Sequence, residues 1–242
     1  MSRFLALATD YDGTLAEDGH VPDEVVAAVQ RLRGAGYKII LVTGRQLPEL
    51  KAVFPAIGIC DIVVAENGAL LYWPQEDKEE LLGTPPPEAF LTAAARHGVQ
   101  PFAQGKVIFA TWRPHEIAVL QILQELGIGY QIIFNKRAVM VLPSNVNKAS
   151  GLLVALERVG ISSDQVVGVG DAENDHPFLE ICGVAVAVDN ALPALKERCD
   201  LVTLADHGRG VEELIAMLLA DGLQGLTLRA SSVNPVVPQS TN

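Results

Sequence analysis

The sequence has few cysteines, and its charge is strongly one-sided. Its three cysteines, Cys60, Cys182 and Cys199, are far apart and odd in number, which indicates neither a disulfide framework nor a zinc site. It has 29 acidic and 18 basic side chains and a net charge of −11, whereas a nucleic-acid-binding protein needs a basic face. We therefore expect a cytoplasmic protein of a reducing compartment that binds no nucleic acid.

Long uncharged hydrophobic runs are also missing, and the histidines are scattered. The first apolar run, residues 4–8, is soon followed by Asp10, and no later run is long enough to cross a bilayer. We expect neither a signal peptide nor a membrane partner. The five histidines suggest no ligand set. An anionic substrate is still compatible with this composition, because a metal or a local basic cluster can reverse the field inside a cleft.

What the sequence does contain is an alternation of short apolar runs with helical patterns. Continuous apolar strands that alternate with helices are typical of a parallel sheet covered on both faces. The predicted fold class is therefore α/β, with a Rossmann-like parallel-sheet core. The strands of this core are predicted at 4–9, 37–43, 61–67, 165–171, 183–188 and 200–203.

The middle of the chain has another pattern, which predicts a small inserted α+β layer. It combines two helical patterns with a strand at 106–112 and a hairpin whose turn is Lys136-Arg137. After Gly222 the chain is polar and loose, which favours a flexible tail or a linker to a tethered domain. The predicted organisation is a core at 1–78 and 146–222, an insert at 79–145 and a tail at 223–242. The sequence contains no internal repeat.

Polar side chains follow the predicted core strands at the points where each strand ends. In an open parallel sheet, ligands bind beyond the carboxyl ends of the strands, so these side chains are expected to face one crevice. Lys148, at the start of the helix that follows the insert, is expected there too. The strand-end groups are Asp10 and Asp12, Thr43-Gly44-Arg45, Glu66-Asn67-Gly68, Asp171 with Glu173, Asn174 and Asp175, and Asp189-Asn190.

Four carboxylates in one crevice would repel one another, and a divalent cation resolves that repulsion. Oxygen ligands without cysteine or histidine suit Mg²⁺, which also pairs with phosphate. Thr43 offers a hydroxyl donor and Lys148 a point charge. A metal, a lysine, a hydroxyl and backbone N–H groups together can bind a phosphoryl group.

Simpler interpretations of these residues stand beside the functional one. Asp171 and Asp175 could cap the helix that follows them, and Lys148 could be an exposed first-turn lysine. Arg45 could contact substrate or form a surface ion pair. An EF-hand fails at both aspartate clusters, because neither has the glycine and glutamate that the calcium loop requires.

Four segments in order carry a family resemblance: "DYDGT", "VTGR", "NK" at 147–148 and "GDAENDHPFL". Together they resemble the four motifs of the haloacid dehalogenase (HAD) superfamily of phosphohydrolases. The size and place of the insert resemble the αββαββ cap of its Cof-like subfamily. The resemblance covers residues from about 3 to 222.

The resemblance implies a role for each motif residue. Asp10 would be the nucleophile that becomes an aspartyl-phosphate, and Asp12 the general acid and base, with its backbone carbonyl on Mg²⁺. Thr43, with Gly44 and Arg45, would bind phosphate or substrate. Lys148 would balance the negative charge of Asp10 and the phosphate. Asp171 and Asp175 would be metal ligands, together with Asp10 and Asp12. Asn174 and Asn190 would support the phosphate site.

The expected function is Mg²⁺-dependent hydrolysis of a small phosphorylated metabolite, such as a sugar phosphate or a phosphoglycolate-like compound. The alternatives are a phosphomutase of the same superfamily and a non-catalytic phosphate-binding domain of a larger protein. The insert is short for such a cap, which favours a small leaving group. The protein is expected to be a monomer or a homodimer. The cap cations considered for contact with the leaving group are Arg113, His115, Lys136 and Arg137.

Overall fold

The computed structural model of the protein describes residues 3–224. Most of the predicted tail at 223–242, and with it the alternative of a tethered domain, lies outside the described residues. Among those residues, no helix combines the length and apolar character that a bilayer crossing needs.

Two sheets organise residues 3–224, and both were predicted in outline. The larger sheet has the order β12-β11-β10-β1-β2-β3-β4-β5, and the smaller has the order β6-β7-β9-β8. The strands are β1 (Ala6–Thr9), β2 (Lys38–Val42), β3 (Ile62–Ala65), β4 (Leu70–Trp73), β5 (Lys78–Leu81), β6 (Phe102–Gln104), β7 (Phe109–Trp112), β8 (Tyr130–Asn135), β9 (Ala138–Pro143), β10 (Val166–Gly170), β11 (Val184–Ala187) and β12 (Leu201–Val202).

Helices connect these strands. Helix α1 packs against α8, and α5 packs against α6. Short 3-10 turns lie at Pro55–Ile59, Glu66–Gly68, Ser163–Gln165 and Glu173–Asp175. The helices are α1 (Asp23–Gly34), α2 (Leu47–Val53), α3 (Glu88–Arg96), α4 (Glu116–Leu126), α5 (Lys148–Val159), α6 (His176–Ile181), α7 (Pro193–Lys196) and α8 (His207–Asp221).

The centre of the larger sheet is parallel and buried, as its apolar runs predict. Strand β1 lies between β10 and β2 and is parallel to both, with Thr9 opposite Val169 on one side and Leu41 on the other. All residues of β1, β3 and β10 are buried. Because neighbouring strands run the same way, their carboxyl ends meet at one edge, and the polar residues after β10, β1, β2 and β3 are brought together.

The insert is an αββαββ layer, α3-β6-β7-α4-β8-β9, and its four strands pair antiparallel. We call it the cap. Its predicted start at residue 79 needs correction, because β5 pairs with β4 in the core sheet. Strand β5 has the polar sequence Lys-Glu-Glu-Leu and is exposed or half-exposed, so it lacks the apolar run that marks the other core strands. The cap therefore begins after Leu81.

The strand predicted at 106–112 is shorter in the structure, where β7 begins only at Phe109. The backbone N–H groups of Lys106, Val107 and Ile108 donate instead to the carboxylate of Glu66, at 2.8, 2.7 and 2.9 Å. Glu66 follows β3 of the core. Its carboxylate therefore accepts the hydrogen bonds of three cap amides that would pair within the cap sheet if β7 began at residue 106.

The start of α5 is fixed by a capping box and by a close backbone approach. The Asn147 side chain accepts a hydrogen bond from the Ser150 amide at 3.0 Å, and the Ser150 hydroxyl accepts one from the Asn147 amide. Gly68 has φ +103, and a Cβ there would lie 1.9 Å from the Asn147 carbonyl oxygen. Only glycine permits this approach, which places Lys148, the first residue of α5, against the end of β3.

Candidate active site

Lys148 lies at the centre of the acidic crevice. Its side chain is 1% exposed, so the alternative of an exposed first-turn lysine is wrong. Its Nζ donates to Asp10 Oδ1 at 2.5 Å and to Asp175 Oδ1 at 2.6 Å. Burial lowers the pKa of Lys148, but the charges of Asp10 and Asp175 outweigh burial and raise it. Lys148 is therefore a cation held between two buried acids.

Asp10 is 4% exposed at the end of β1. Burial, and then the charge of Asp175, raise the pKa of Asp10 well above its usual range, while Lys148 lowers it. A buried carboxylate needs positive charge nearby to stay ionised. The crevice supplies one such charge in Lys148, and a bound cation would supply more.

Asp171 and Asp175 lie on the loop between β10 and α6. Asp175 Oδ2 accepts hydrogen bonds from the Asp171 and Ala172 amides, both at 2.9 Å. These two bonds close the short turn before α6, but the Asp175 side chain makes no capping hydrogen bond to α6 itself, so the helix-cap alternative for Asp175 is wrong. Its other oxygen pairs with Lys148. Asp171 Oδ1 accepts from the Thr14 hydroxyl at 3.3 Å. Burial and the charge of Asp175 raise the pKa of Asp171.

Three of the acids could hold a metal ion. Asp10, Asp171 and Asp175 each offer a carboxylate oxygen, and these oxygens lie within 4.8 Å of one another. A set of oxygen donors alone suits a hard divalent cation. Both oxygens of Asp175 accept buried hydrogen bonds, from Lys148 and from two backbone amides. One oxygen of Asp171 instead accepts from the exposed, flexible Lys136 side chain, which can move away, so Asp10 and Asp171 are the better direct ligands. The crevice therefore fits a divalent cation.

Asp12 stands apart from that group, because its carboxylate is paired with Arg45. Arg45 Nε donates to Asp12 Oδ2 and Arg45 Nη2 to Asp12 Oδ1, both at 2.7 Å. The guanidinium also lies 5.5 Å from the centre of the Tyr11 ring. Of the two roles considered for Arg45, the structure shows the ion pair. The pair is half-buried, and its acid, Asp12, is the one predicted to move protons. The bidentate geometry fixes the orientation of the Asp12 carboxylate.

The predicted phosphate-binding residues after β2 lie beside the acids. The Thr43 hydroxyl is buried and accepts from the Arg45 amide at 3.1 Å, which leaves its own proton to donate. Asn174 Nδ2 donates to Asn67 Oδ1 at 3.1 Å. Within residues 3–224, the other amide atoms of this pair, Asn67 Nδ2 and Asn174 Oδ1, are buried without a hydrogen-bond partner. An unpaired N–H donor beside Thr43 suits an anionic oxygen.

Gly13 and Asn190 shape the loop that follows β1. Gly13 has φ +86, and a Cβ there would lie 2.5 Å from Asp171 Oδ2. Asn190 Nδ2 donates to the Gly13 carbonyl, and Asn190 Oδ1 accepts from the His207 amide, both at 2.7 Å. Both ends of the Asn190 amide thus bind backbone, and its contact with phosphate stays a prediction. The sequence analysis did not single out Gly13 or Thr14, although the "DGT" string contains both.

The cap contributes one cation to the acidic crevice. Lys136 Nζ donates to Asp171 Oδ2 at 3.1 Å. Burial lowers the pKa of Lys136, but the charge of Asp171 and the hydrogen bond to it outweigh burial and raise it. The neighbouring cap residue Met140 lies close to Gly44, with its Sδ 3.7 Å from where a Cβ on Gly44 would be. The cap thus covers the crevice closely.

The sequence model of haloacid dehalogenase-like hydrolases matches residues 7–90 and 132–215 of this chain. The chain belongs to this family. It is 35% identical over 220 residues to the phosphoglycolate phosphatase of Methanothermobacter thermautotrophicus, covering 87% of this chain and 96% of the relative. It is 31% identical to the phosphoglycolate phosphatase of Archaeoglobus fulgidus, covering 88% and 96%.

Solved structures agree at the level of the fold. A haloacid dehalogenase-like hydrolase from Bacteroides thetaiotaomicron superposes with a TM-score of 0.73 at 17% identity, covering 89% of this chain and 99% of that one. One from B. subtilis gives a TM-score of 0.73 at 17% identity, covering 88% and 99%. The predicted family, fold class and enzyme class, a phosphoric monoester hydrolase of the HAD superfamily, are therefore confirmed.

Proposed function

We propose that this HAD hydrolase is a Mg²⁺-dependent phosphatase that acts on a small phosphorylated acid of the phosphoglycolate type through an aspartyl-phosphate on Asp10. The observation that carries the proposal is the buried Asp10 carboxylate at the end of β1, bound by Lys148 and beside Asp171 and Asp175. The substrate class is supported by the curated relatives, which are named phosphoglycolate phosphatases.

In the first step, Asp10 Oδ2 attacks phosphorus and the bond from phosphorus to the leaving oxygen breaks. Lys148 binds Oδ1 at 2.5 Å, so it orients the nucleophile and keeps it ionised. The Thr43 hydroxyl and the unpaired Asn67 Nδ2 donate to the phosphate oxygens. A Mg²⁺ ion held by Asp10, Asp171 and the Asp12 carbonyl, with Asp175 in support, would supply positive charge against the charge of the transferring group.

Asp12 moves the proton in both steps. It gives its proton to the leaving oxygen, and then takes a proton from the water that attacks phosphorus and breaks the bond to Asp10. Both Asp12 oxygens accept from Arg45 in this structure, so one of the two hydrogen bonds must open when Asp12 carries the proton, while the other still orients the carboxyl group. Arg45 acts here as a positioning residue for the acid, and any contact of Arg45 with substrate is a separate prediction.

The test is phosphate release from phosphoglycolate, sugar phosphates and p-nitrophenyl phosphate, with Mg²⁺ and with EDTA. We expect release by the wild type that needs Mg²⁺ and is greatest for the small acid. Asp10→Asn should lower it by a factor on the order of 10³ or more, whereas Asp189→Asn, at an exposed acid paired with Lys196, should not. Absence of free phosphate from a folded wild type would contradict hydrolysis, and conversion of a sugar phosphate to its isomer would identify a phosphomutase.

A further inference from the structure

The turn between β8 and β9 places Lys136 above the acidic crevice. Strand β8 contacts the 173–175 turn of the core, so this hairpin lies over the metal-binding loop. Lys136 has φ +53, a left-handed conformation that residues other than glycine seldom adopt. Such backbone strain persists where the surrounding structure requires it and is frequent at functional sites.

The other cap cations considered for substrate contact point elsewhere. The Arg113 guanidinium lies 5.1 Å from the centre of the Phe134 ring, and His115 Nε2 is 2.7 Å from the Gln100 carbonyl oxygen. Arg137, the other residue of the turn, is exposed, and its carbonyl accepts from the Arg113 amide. Lys136 is thus the member of this group whose charged end reaches an acid of the crevice, Asp171.

Lys136 is placed to bind Asp171 when no metal is bound, and the leaving part of a substrate when a metal occupies Asp171. Its side chain is 57% exposed, and its four-carbon stem is flexible, so the ammonium can move within the cleft. A divalent cation on Asp171 would repel an ammonium 3.1 Å from the same carboxylate. The displaced ammonium would face the side of the cleft toward the cap, where the leaving part of a substrate bound at Asp10 must lie.

We propose that Lys136 is the specificity-determining residue of the cap and binds a carboxylate on the leaving part of the substrate. This inference rests on the proposed function, since it assigns the acidic end of that substrate to one side chain. An ammonium-carboxylate pair with a hydrogen bond is strong in a partly closed site.

The first test compares two esters that differ in the charge of the leaving group. We would measure kcat and KM for phosphoglycolate and for ethylene glycol monophosphate, which has a neutral hydroxymethyl group in place of the carboxylate. At a Mg²⁺ concentration that saturates each variant, Lys136→Met should raise KM for phosphoglycolate by about tenfold to a hundredfold relative to KM for the neutral ester and for p-nitrophenyl phosphate. Arg137→Met, which removes the neighbouring charge of the same turn, should keep the preference, and Lys136→Arg should restore part of it.

A second readout does not depend on turnover. Phosphonopropionate is a non-hydrolysable isostere of phosphoglycolate, and propylphosphonate lacks its carboxylate. Calorimetry with Mg²⁺ should show that the wild type binds phosphonopropionate more tightly, and that Lys136→Met binds both phosphonates equally. This binding difference can be measured even if the wild type hydrolyses none of the esters, so failure of the inference and failure of the proposed function are distinguishable.

Two results would overturn the inference. Lys136→Met could keep the full preference for the carboxylated ester and phosphonate, in which case another group binds the carboxylate. It could instead weaken all substrates and both phosphonates by the same factor. That result would mean that Lys136 acts through Asp171 and the metal alone.

Discussion

At the scale of single residues, the site depends on charges that are buried together. Asp10, Asp175 and Lys148 are all almost fully buried, and each carboxylate gives Lys148 one hydrogen-bond acceptor. A buried ion pair adds little compared with an apolar core, but removal of one partner is costly because the other charge stays buried. The arrangement is therefore better explained by catalysis than by stability.

Lys148→Met should leave two buried carboxylates without their cation. We expect the free energy of unfolding to fall by about 3–5 kcal/mol and phosphate release to be lost. Part of the stability should return with Mg²⁺, which can replace the missing charge. Urea unfolding with and without Mg²⁺ measures this, and Lys196→Met, at an exposed pair with Asp189, should change stability by less than about 1 kcal/mol. Equal effects of the two variants would contradict the account.

Gly13→Ala tests whether the loop after β1 needs space as well as backbone freedom. Gly36 is a matched control, because it has φ +98 and a Cβ there would have no neighbour within 4 Å, whereas a Cβ on Gly13 would meet Asp171. Both alanine variants should lose about 1–2 kcal/mol of stability from the left-handed backbone. Only Gly13→Ala should also lower kcat/KM, by about a hundredfold. Unchanged kcat/KM in Gly13→Ala would show that Asp171 has no fixed role.

At the scale of elements, the cap is attached to the core through Glu66. Glu66 is fully buried, and its carboxylate accepts from the amides of 106–108. Its own amide donates to the Arg45 carbonyl, and the Asn67 amide donates to the Thr43 carbonyl. The same short turn thus contacts the loop after β2, which is proposed to bind phosphate, on one side and the cap on the other, and so fixes the cap above the crevice.

Glu66→Gln replaces one acceptor oxygen by an NH₂ group that would face a backbone N–H. We expect the free energy of unfolding to fall by about 1–3 kcal/mol and hydrogen exchange at 106–108 to accelerate. Glu79→Gln is the control, because Glu79 is half-buried and pairs with the exposed Lys106 side chain; it should lose less than about 1 kcal/mol. If both variants behave alike and 106–108 stays protected, Glu66 does not hold the cap.

The elements also show which parts of the fold can be predicted from sequence. The central strands were predictable because each is a continuous apolar run between helices. Strands β5 and β6 were not, because Lys78–Leu81 is polar and Phe102–Gln104 is very short. The predicted start of β7 was wrong because it depends on Glu66, which is 40 residues from Lys106. Local patterns carry no information on such contacts.

In the candidate site, too, some features follow from local sequence patterns and others depend on contacts between distant residues. The shared location of Asp10, Thr43 and Asp171 was predictable because strand ends of a parallel sheet converge at one edge. Lys148 was expected there as the first residue of the helix after the insert, and the roles of all four stay predictions. The choice between substrate and ion pair for Arg45 could not be made from sequence, since its partner Asp12 is 33 residues away. The contact of Lys136 with Asp171 depends on how the cap lies over the core, which is a property of the folded chain.

At the scale of the whole molecule, cation binding should be coupled to folding. The acids proposed to hold the metal come from the separate β1 and β10 loops, so an ion can bind them together only in the folded protein. Mg²⁺ at a hundred times its dissociation constant should add about 2.7 kcal/mol of stability. Thermal unfolding across Mg²⁺ concentrations measures this, and Asp171→Asn should reduce the shift while Asp189→Asn should not. A wild type whose unfolding temperature does not change with Mg²⁺ concentration would contradict the proposed metal site.

The central claim is that Asp10 is phosphorylated, and Asp12→Asn with p-nitrophenyl phosphate tests it most directly. The p-nitrophenolate group leaves without a proton, so the first step needs no acid, while the second step lacks its base. We predict a burst of one equivalent of p-nitrophenol and an enzyme that gains the mass of one phosphoryl group, which peptide mapping places on Asp10. A phosphoryl group on another residue, or steady release without a phosphorylated enzyme, would contradict the account.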